Sequence, residues 1–144
     1  MSAARSVFEG WRAVHSRYPS AILAASPEGY DIARTIGGAA IRRDVSGVYR
    51  VLFKVLSIDS LITLSAKLFP YYYDTGSLTN QRVSSGHIRS VYEGCVGFDR
   101  AMWEELAGSC NSLIQMAGGR SVRVSITRGG LDHSTACVIS IEWR

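Results

Sequence analysis

The sequence predicts an α+β fold, with N-terminal helices packed on a four-stranded antiparallel sheet whose C-terminal half runs ββαββ. Three observations predict it. Apolar residues recur at three- and four-residue steps through the first half, the period shifts to two after Gly76, and one long helical pattern separates two hairpin signals. The chain reads as a single domain over 1–144, with a helical half at 1–76 and a ββαββ half at 77–144.

In the first half, Val7, Phe8, Trp11, Val14 and Tyr18 form one stripe of a helix that Pro19 ends. Ser26-Pro27-Glu28 reads as the next helix start, with Ser as N-cap and Pro in the first position, and Gly37-Gly38 reads as its close. A third helix begins near Asp44 or Ser46 and is expected to carry Val48, Val51, Leu52 and Val55 inward. A fourth takes Ser57 or Asp59 as cap and runs through Leu61, Ile62, Leu64, Ala66, Leu68 and Phe69 to Pro70, which kinks or ends it. Asp74-Thr75-Gly76 then reads as a turn, with Gly76 free to take positive φ.

In the second half, residues 77–84 and 87–93 flank Ser85-Gly86 as a two-residue hairpin. Phe98-Asp99 starts a helix with Met102, Trp103, Leu106, Cys110, Leu113 and Ala117 as its buried stripe, leaving Glu104, Glu105 and Gln115 elsewhere on its surface. Gly118-Gly119 stops it. Residues 121–128 and 135–143 make the last hairpin, where Val122, Val124 and Ile126 alternate on one strand and Cys137, Ile139, Ile141 and Trp143 on the other. Arg123, Ser125, Thr127, Ser140 and Glu142 fall on the opposite sheet face, expected to be wet or to cover a partner.

Composition narrows the function classes. With 47% apolar and 19% charged residues, 144 residues make a packed globular chain. No window approaches the roughly 20 apolar residues of a membrane span. Glu9, Arg12, His15 and Arg17 interrupt any leader-like pattern, and three widely spaced cysteines imply no disulfide framework, so a cytoplasmic protein is expected. The net charge of +4 invites a nucleic-acid reading, but the arginines are dispersed and Arg42-Arg43 is the only adjacent basic pair, so no nucleic-acid partner is expected.

The chemistry-bearing residues do not form a catalytic pattern. His133 and Cys137, separated by three residues at a hairpin tip, are the only close pair of soft ligands, and Cys110 lies on an apolar helix stripe as a small hydrophobe, so no metal is expected. His15, His87 and His133 fall in no nucleophile motif. Asp74-Thr75-Gly76 echoes the aspartic-protease triplet, yet that chemistry needs two carboxylates sharing a site. The glycine pairs lack phosphate-cradle spacing. The residues therefore lean away from an enzyme and specify no cofactor. The aromatic group Phe69, Tyr71, Tyr72, Tyr73, Trp103 and Trp143 is more informative, because three consecutive tyrosines cannot all face one core and at least one should meet a cleft or an interface.

Several runs carry a family resemblance. Ile32-Ala33-Arg34 to Gly37, Arg43-Asp44, Gly47-Val48-Tyr49-Arg50 and Phe69-Pro70-Tyr71-Tyr72-Tyr73-Asp74-Thr75-Gly76 resemble a family of bacterial proteins common in myxobacteria and their relatives. Tyr92-Glu93-Gly94-Cys95, the run from Leu113 to Gly119 and Val122-Arg123-Val124 continue it. The closing run from Cys137 to Trp143 is similar to the ending of 4-vinyl-reductase-type domains and of the haem-nitric-oxide-binding-like superfamily. The resemblance implies a helical layer on a four-stranded antiparallel sheet, in relatives that bind apolar or aromatic effectors, haem or tetrapyrroles, or serve as dimeric assembly modules. Two departures stand out: Thr127-Arg128 occupy the region where the vinyl-reductase pattern has a cysteine, and the tyrosine-serine-arginine haem motif is absent.

Aromatic junction and resemblance together give the functional expectation. A small apolar or aromatic effector binds between sheet and helices, lined by Tyr71, Tyr73, Trp103, Leu106, Cys110, Ile126, Cys137 and Ile139. The alternative is a protein-interaction or homodimerisation module with a solid core and no pocket.

Overall fold

The computed structural model describes residues 28–44 and 48–144, which form α1 (Gly29–Asp44), α2 (Val48–Val55), α3 (Ile58–Tyr72), β1 (Ser77–Ser84), β2 (His87–Glu93), α4 (Arg100–Met116), β3 (Arg123–Gly129) and β4 (Cys137–Glu142). The expected helix over 3–18 and the Ser26-Pro27 cap lie outside the described residues. The architecture is the α+β class that the periodicities predict.

The sheet order is β1-β2-β4-β3, antiparallel throughout, so the two hairpins meet along their second strands. Tyr92 opposes Cys137, Ser90 opposes Ile139, and Ile88 opposes Ile141, while Ile139 and Ile141 also oppose Ile126 and Val124. These residues share one face by strand alternation, and that face carries the core. On the other face Arg123, Ser125, Thr127 and Glu142 are exposed as expected; Ser140, on a central strand, is buried and shares a 2.8 Å hydrogen bond with His87 Nε2.

The helix α4 covers the apolar face of the sheet. Asp99 is its N-cap and accepts from the Met102 N–H at 2.8 Å, while Asp132 of the β3–β4 loop accepts from the Arg100 N–H at 3.0 Å. Phe98 precedes the cap and its ring centroid lies 4.5 Å from that of Trp103, a hydrophobic staple across the first turn. Glu104 and Glu105 are buried, contrary to the surface position their place off the apolar stripe suggests. The reason is that α4 has a second neighbour: α1 lies along it, and Arg34 of α1 pairs through Nε with Glu104 while its NH1 donates to the Val124 carbonyl at 3.0 Å.

The same helix pair corrects the reading of Gly37-Gly38. These glycines do not end a helix; α1 runs through them to Asp44. A Cβ on Gly37 would collide with the Glu105 carbonyl, and one on Gly108 with the Arg34 carbonyl, so the glycines serve close approach of two backbones. Val51 and Val55 are also corrected: they stand 68% and 80% exposed rather than inward, because amphipathic spacing aligns a stripe without specifying what it faces.

Ser57 caps α3, its Oγ accepting from the Ser60 N–H at 3.1 Å. The helix continues past Pro70 to Tyr72, since a proline this near the C-terminus removes a single backbone donor and the Tyr73 N–H still reaches the Phe69 carbonyl at 3.1 Å. Asn80 ties α3 to β1 by donating to the Ile62 carbonyl at 2.8 Å and to Ser65 Oγ at 3.1 Å. The Asp74-Thr75-Gly76 turn forms as expected, with Gly76 at φ +87° and Thr75 Oγ1 bonded to both the N–H and the carbonyl of Val96.

Candidate functional site

Five aromatic rings close a circuit beneath the sheet. Phe69 of α3 stacks on Tyr73 at 4.7 Å, Tyr73 meets Phe98 at 5.3 Å, Phe98 meets Trp103 at 4.5 Å, Trp103 meets Tyr92 of β2 at 5.9 Å, and Tyr92 returns to Phe69 at 5.5 Å. Three separate stretches of the chain supply them, so the circuit exists only once α3, α4 and the sheet have docked. Offset and edge-on ring pairs of this kind add about 0.5–1.5 kcal/mol each beyond the area they bury.

Most of the predicted lining meets here. Trp103, Leu106, Cys137 and Ile139 belong to the same buried cluster as the rings, and Tyr73, Cys110 and Ile126 are packed against it. Tyr71 is apart from them, 73% exposed on the last turn of α3, the outward-facing tyrosine that the triple run requires. Tyr92 and Phe98 were not among the predicted residues. Phe98 carries a readable signal, its staple spacing to Trp103, whereas Tyr92 has only its alternation with Ile88 and Ser90.

The electrostatics of the layer are those of a dry interior. Burial pushes the Cys95 and Cys110 thiols up to about 11 and that of Cys137 to about 12, so all three are protonated at neutral pH. Burial likewise raises the Tyr73 and Tyr92 phenols well above their ordinary range. The Tyr92 hydroxyl lies 3.7 Å from Cys110 Sγ. One polar atom stands out: the Trp103 indole N–H is fully buried and has no hydrogen-bond partner among the described residues.

A second feature lies outside this layer. Between α1 and α4 a cleft of about 320 Å³ is bordered by Arg34, Gly38 and Arg42 on one side and Gly108, Asn111 and Ser112 on the other. Among the described residues no group of three or more His, Cys, Asp and Glu side chains is arranged to hold a metal ion; His133 is exposed at the β3–β4 loop while Cys137 is buried.

No family model matches the sequence, and no curated protein matches it. Solved structures do match its fold. An oxygen-binding H-NOX domain related to soluble guanylate cyclases, in its oxygen complex, superposes with a TM-score of 0.60 at 15% identity over 81% of this chain and 62% of that one. An H-NOX protein from S. oneidensis in the Fe(II)NO state gives 0.58 at 14% identity over 81% and 66%. The chain thus spans less than two-thirds of the H-NOX domains it matches. A trafficking protein particle complex subunit 3 from Naegleria fowleri, covalently bound to palmitic acid, gives 0.53 at 13% identity over 98% of this chain and 92% of that one. At these identities the likeness is one of fold.

The side chains beneath the sheet do not fit haem, the group that the H-NOX likeness brings to mind. Neither His87, bonded to Ser140 on the far face of the sheet, nor the exposed His133 presents a nitrogen to the aromatic layer.

Proposed function

We propose that this chain is a non-catalytic, cytoplasmic sensory module that binds a small effector with an apolar or aromatic body and a hydrogen-bond acceptor. Its site is the layer of Tyr73, Trp103, Leu106, Cys110, Ile126, Cys137 and Ile139, with Tyr71 at the rim. The observation that carries this reading is the buried Trp103 indole N–H, a member of that layer with no hydrogen-bond partner among the described residues. An unpartnered buried donor costs about 1–3 kcal/mol. An effector bearing a carbonyl, carboxylate or phenol oxygen would remove that penalty, and its apolar body would gain roughly 25 cal/mol for each Å² buried. The palmitic acid complex of a structure with a similar fold supports an apolar effector of this kind. The buried, protonated thiols support a non-catalytic role, because a cysteine nucleophile acts as its thiolate.

The test is a thermal-shift screen of phenols, aromatic carboxylates and fatty acids against the full chain and its Trp103→Phe variant. An acceptor-bearing compound should raise the Tm of the parent chain in a saturable way and lose that effect in the variant. A panel that stabilises neither, or both equally, overturns the reading.

A second reading, homodimerisation or attachment to a protein partner, rests on a different observation. Leu64, Leu68 and Tyr71 of α3 recur at helical spacing and are all exposed, as are Val51 and Val55 of α2. Light scattering that finds a strict monomer at high concentration counts against a homodimer.

A further inference from the structure

We infer that the cleft between α1 and α4 is a binding site for a compact oxyanion, a carboxylate or a phosphate, separate from the aromatic layer. Its construction follows from helix periodicity. Arg34, Gly38 and Arg42 are four residues apart and so lie on one face of α1, leaving a notch at Gly38 between two guanidinium-bearing side chains. Facing that notch on α4 are Gly108, Asn111 and Ser112, related by three- and four-residue steps. Val124 of β3 also borders the space.

Three observations make this a recognition site rather than a packing gap. Ser112, 4% exposed, borders the cleft together with Asn111, so each brings a polar side chain to its wall. Ser112 Oγ would be 2.7 Å from a Cβ placed on Gly38, so the absence of a side chain at 38 is what leaves room next to that hydroxyl. The two guanidinium groups differ in their commitments. Arg34 is engaged by Glu104 and the Val124 carbonyl, whereas the described partner of Arg42 is the neutral Gln115, whose Oε1 accepts from its NH2 at 2.8 Å.

Among the described residues no carboxylate borders the cleft, and the described partner of Arg42 there carries no charge to offset its own. An oxyanion placed there would take charge-assisted hydrogen bonds from Arg42 and neutral ones from Ser112 and Asn111. The volume of about 320 Å³ suits a small molecule, at the lower end of the range of ligand pockets.

The test is titration of the full chain with inorganic phosphate and, separately, with acetate, against sodium chloride at equal ionic strength. Backbone amide shifts read by NMR report the site. Saturable shifts centred on Gly38, Asn111 and Ser112 in one titration support the proposal and name the class, phosphate or carboxylate. Arg42→Gln should weaken that binding roughly tenfold, the loss of one charge-assisted hydrogen bond, and Ser112→Ala should weaken it less. Both substitutions leave the helix backbone intact, so their unliganded spectra serve as fold controls; Gly38→Ala should abolish binding by filling the notch. Shifts no larger than those given by chloride, or affinity unchanged in Arg42→Gln, would overturn the inference. Neither result bears on the Trp103 site, whose probes and variant are different.

Discussion

Gly37 of α1 lies directly against the Glu105 carbonyl of α4, and Gly108 of α4 lies in the same way against the Arg34 carbonyl of α1. The contact is reciprocal: each helix supplies one glycine to receive the other's backbone. Two neighbouring consequences depend on this approach, the Arg34–Glu104 pair and the notch at Gly38.

An alanine at position 108 should destabilise the protein even though alanine is the better helix former. Mid-helix Gly→Ala ordinarily gains about 1 kcal/mol. Here the new Cβ meets backbone that cannot swing aside, and overpacking of this kind costs typically 1–3 kcal/mol. Chemical denaturation of Gly108→Ala should therefore show a net loss of up to about 2 kcal/mol, with Gly37→Ala alike. A gain in either variant would mean that the helices are not in this contact.

The Arg34–Glu104 pair makes a second case. Removing one partner of a buried pair typically costs about 3–5 kcal/mol because the other charge is left without compensation. The Arg34 side chain is one-third exposed, so water can partly replace it and the loss in Arg34→Ala should be nearer ~2 kcal/mol. Adding Glu104→Gln to that variant should recover part of the loss. A double-mutant cycle on urea midpoints measures the coupling.

Alkaline pH should unfold the chain earlier than its carboxylates and arginines alone would suggest. The folded-state pKa values of Cys95, Cys110 and Cys137 lie at about 11, 11 and 12, above the ordinary 9.0. The native state therefore holds these protons more tightly than the unfolded state does, and the associated stability is fully present below about pH 9. It is lost as pH rises from there through the folded-state values. Urea midpoints should be flat from pH 7 to 8.5 and fall progressively up to pH 11, and Cys110→Ala should flatten that fall. At pH 8 the native thiols should resist alkylation, and labelling should appear on unfolding.

The two caps at the start of α4 can be separated. Asp99→Ala removes the acceptor for the Met102 N–H and should cost about 1 kcal/mol. Asp132→Ala frees the Arg100 N–H and loosens the β3–β4 loop, and should cost less, because that N–H is exposed to water. Thermal denaturation of the two single variants and the double variant checks the order.

What could be read from the sequence, and what could not, follows from the range of the interactions involved. Strands at 77–84 and 87–93, the Ser85-Gly86 turn, the Ser57 cap and the Gly118-Gly119 stop rest on neighbours a few residues apart, and they form as their local patterns predict. The apolar alternation likewise placed Cys137 and Ile139 in the core and left Arg123 and Ser125 in water. Burial of the residues on α4 and β4 was legible because their stripe and alternation are strong, while Tyr71 was indistinguishable from Tyr73 until the end of α3 had been set in space.

Tertiary structure alone decided the rest. Whether Gly37 caps a helix or receives one, whether Glu104 faces solvent or Arg34, and which rings complete the circuit around Trp103 all depend on residues 60 or more positions apart, or on separate elements meeting. Local periodicity states that a face is apolar or that a backbone is free of side chains. Only the docking of α1 on α4, and of both hairpins beneath α4 and α3, supplies the surface that each of those faces meets.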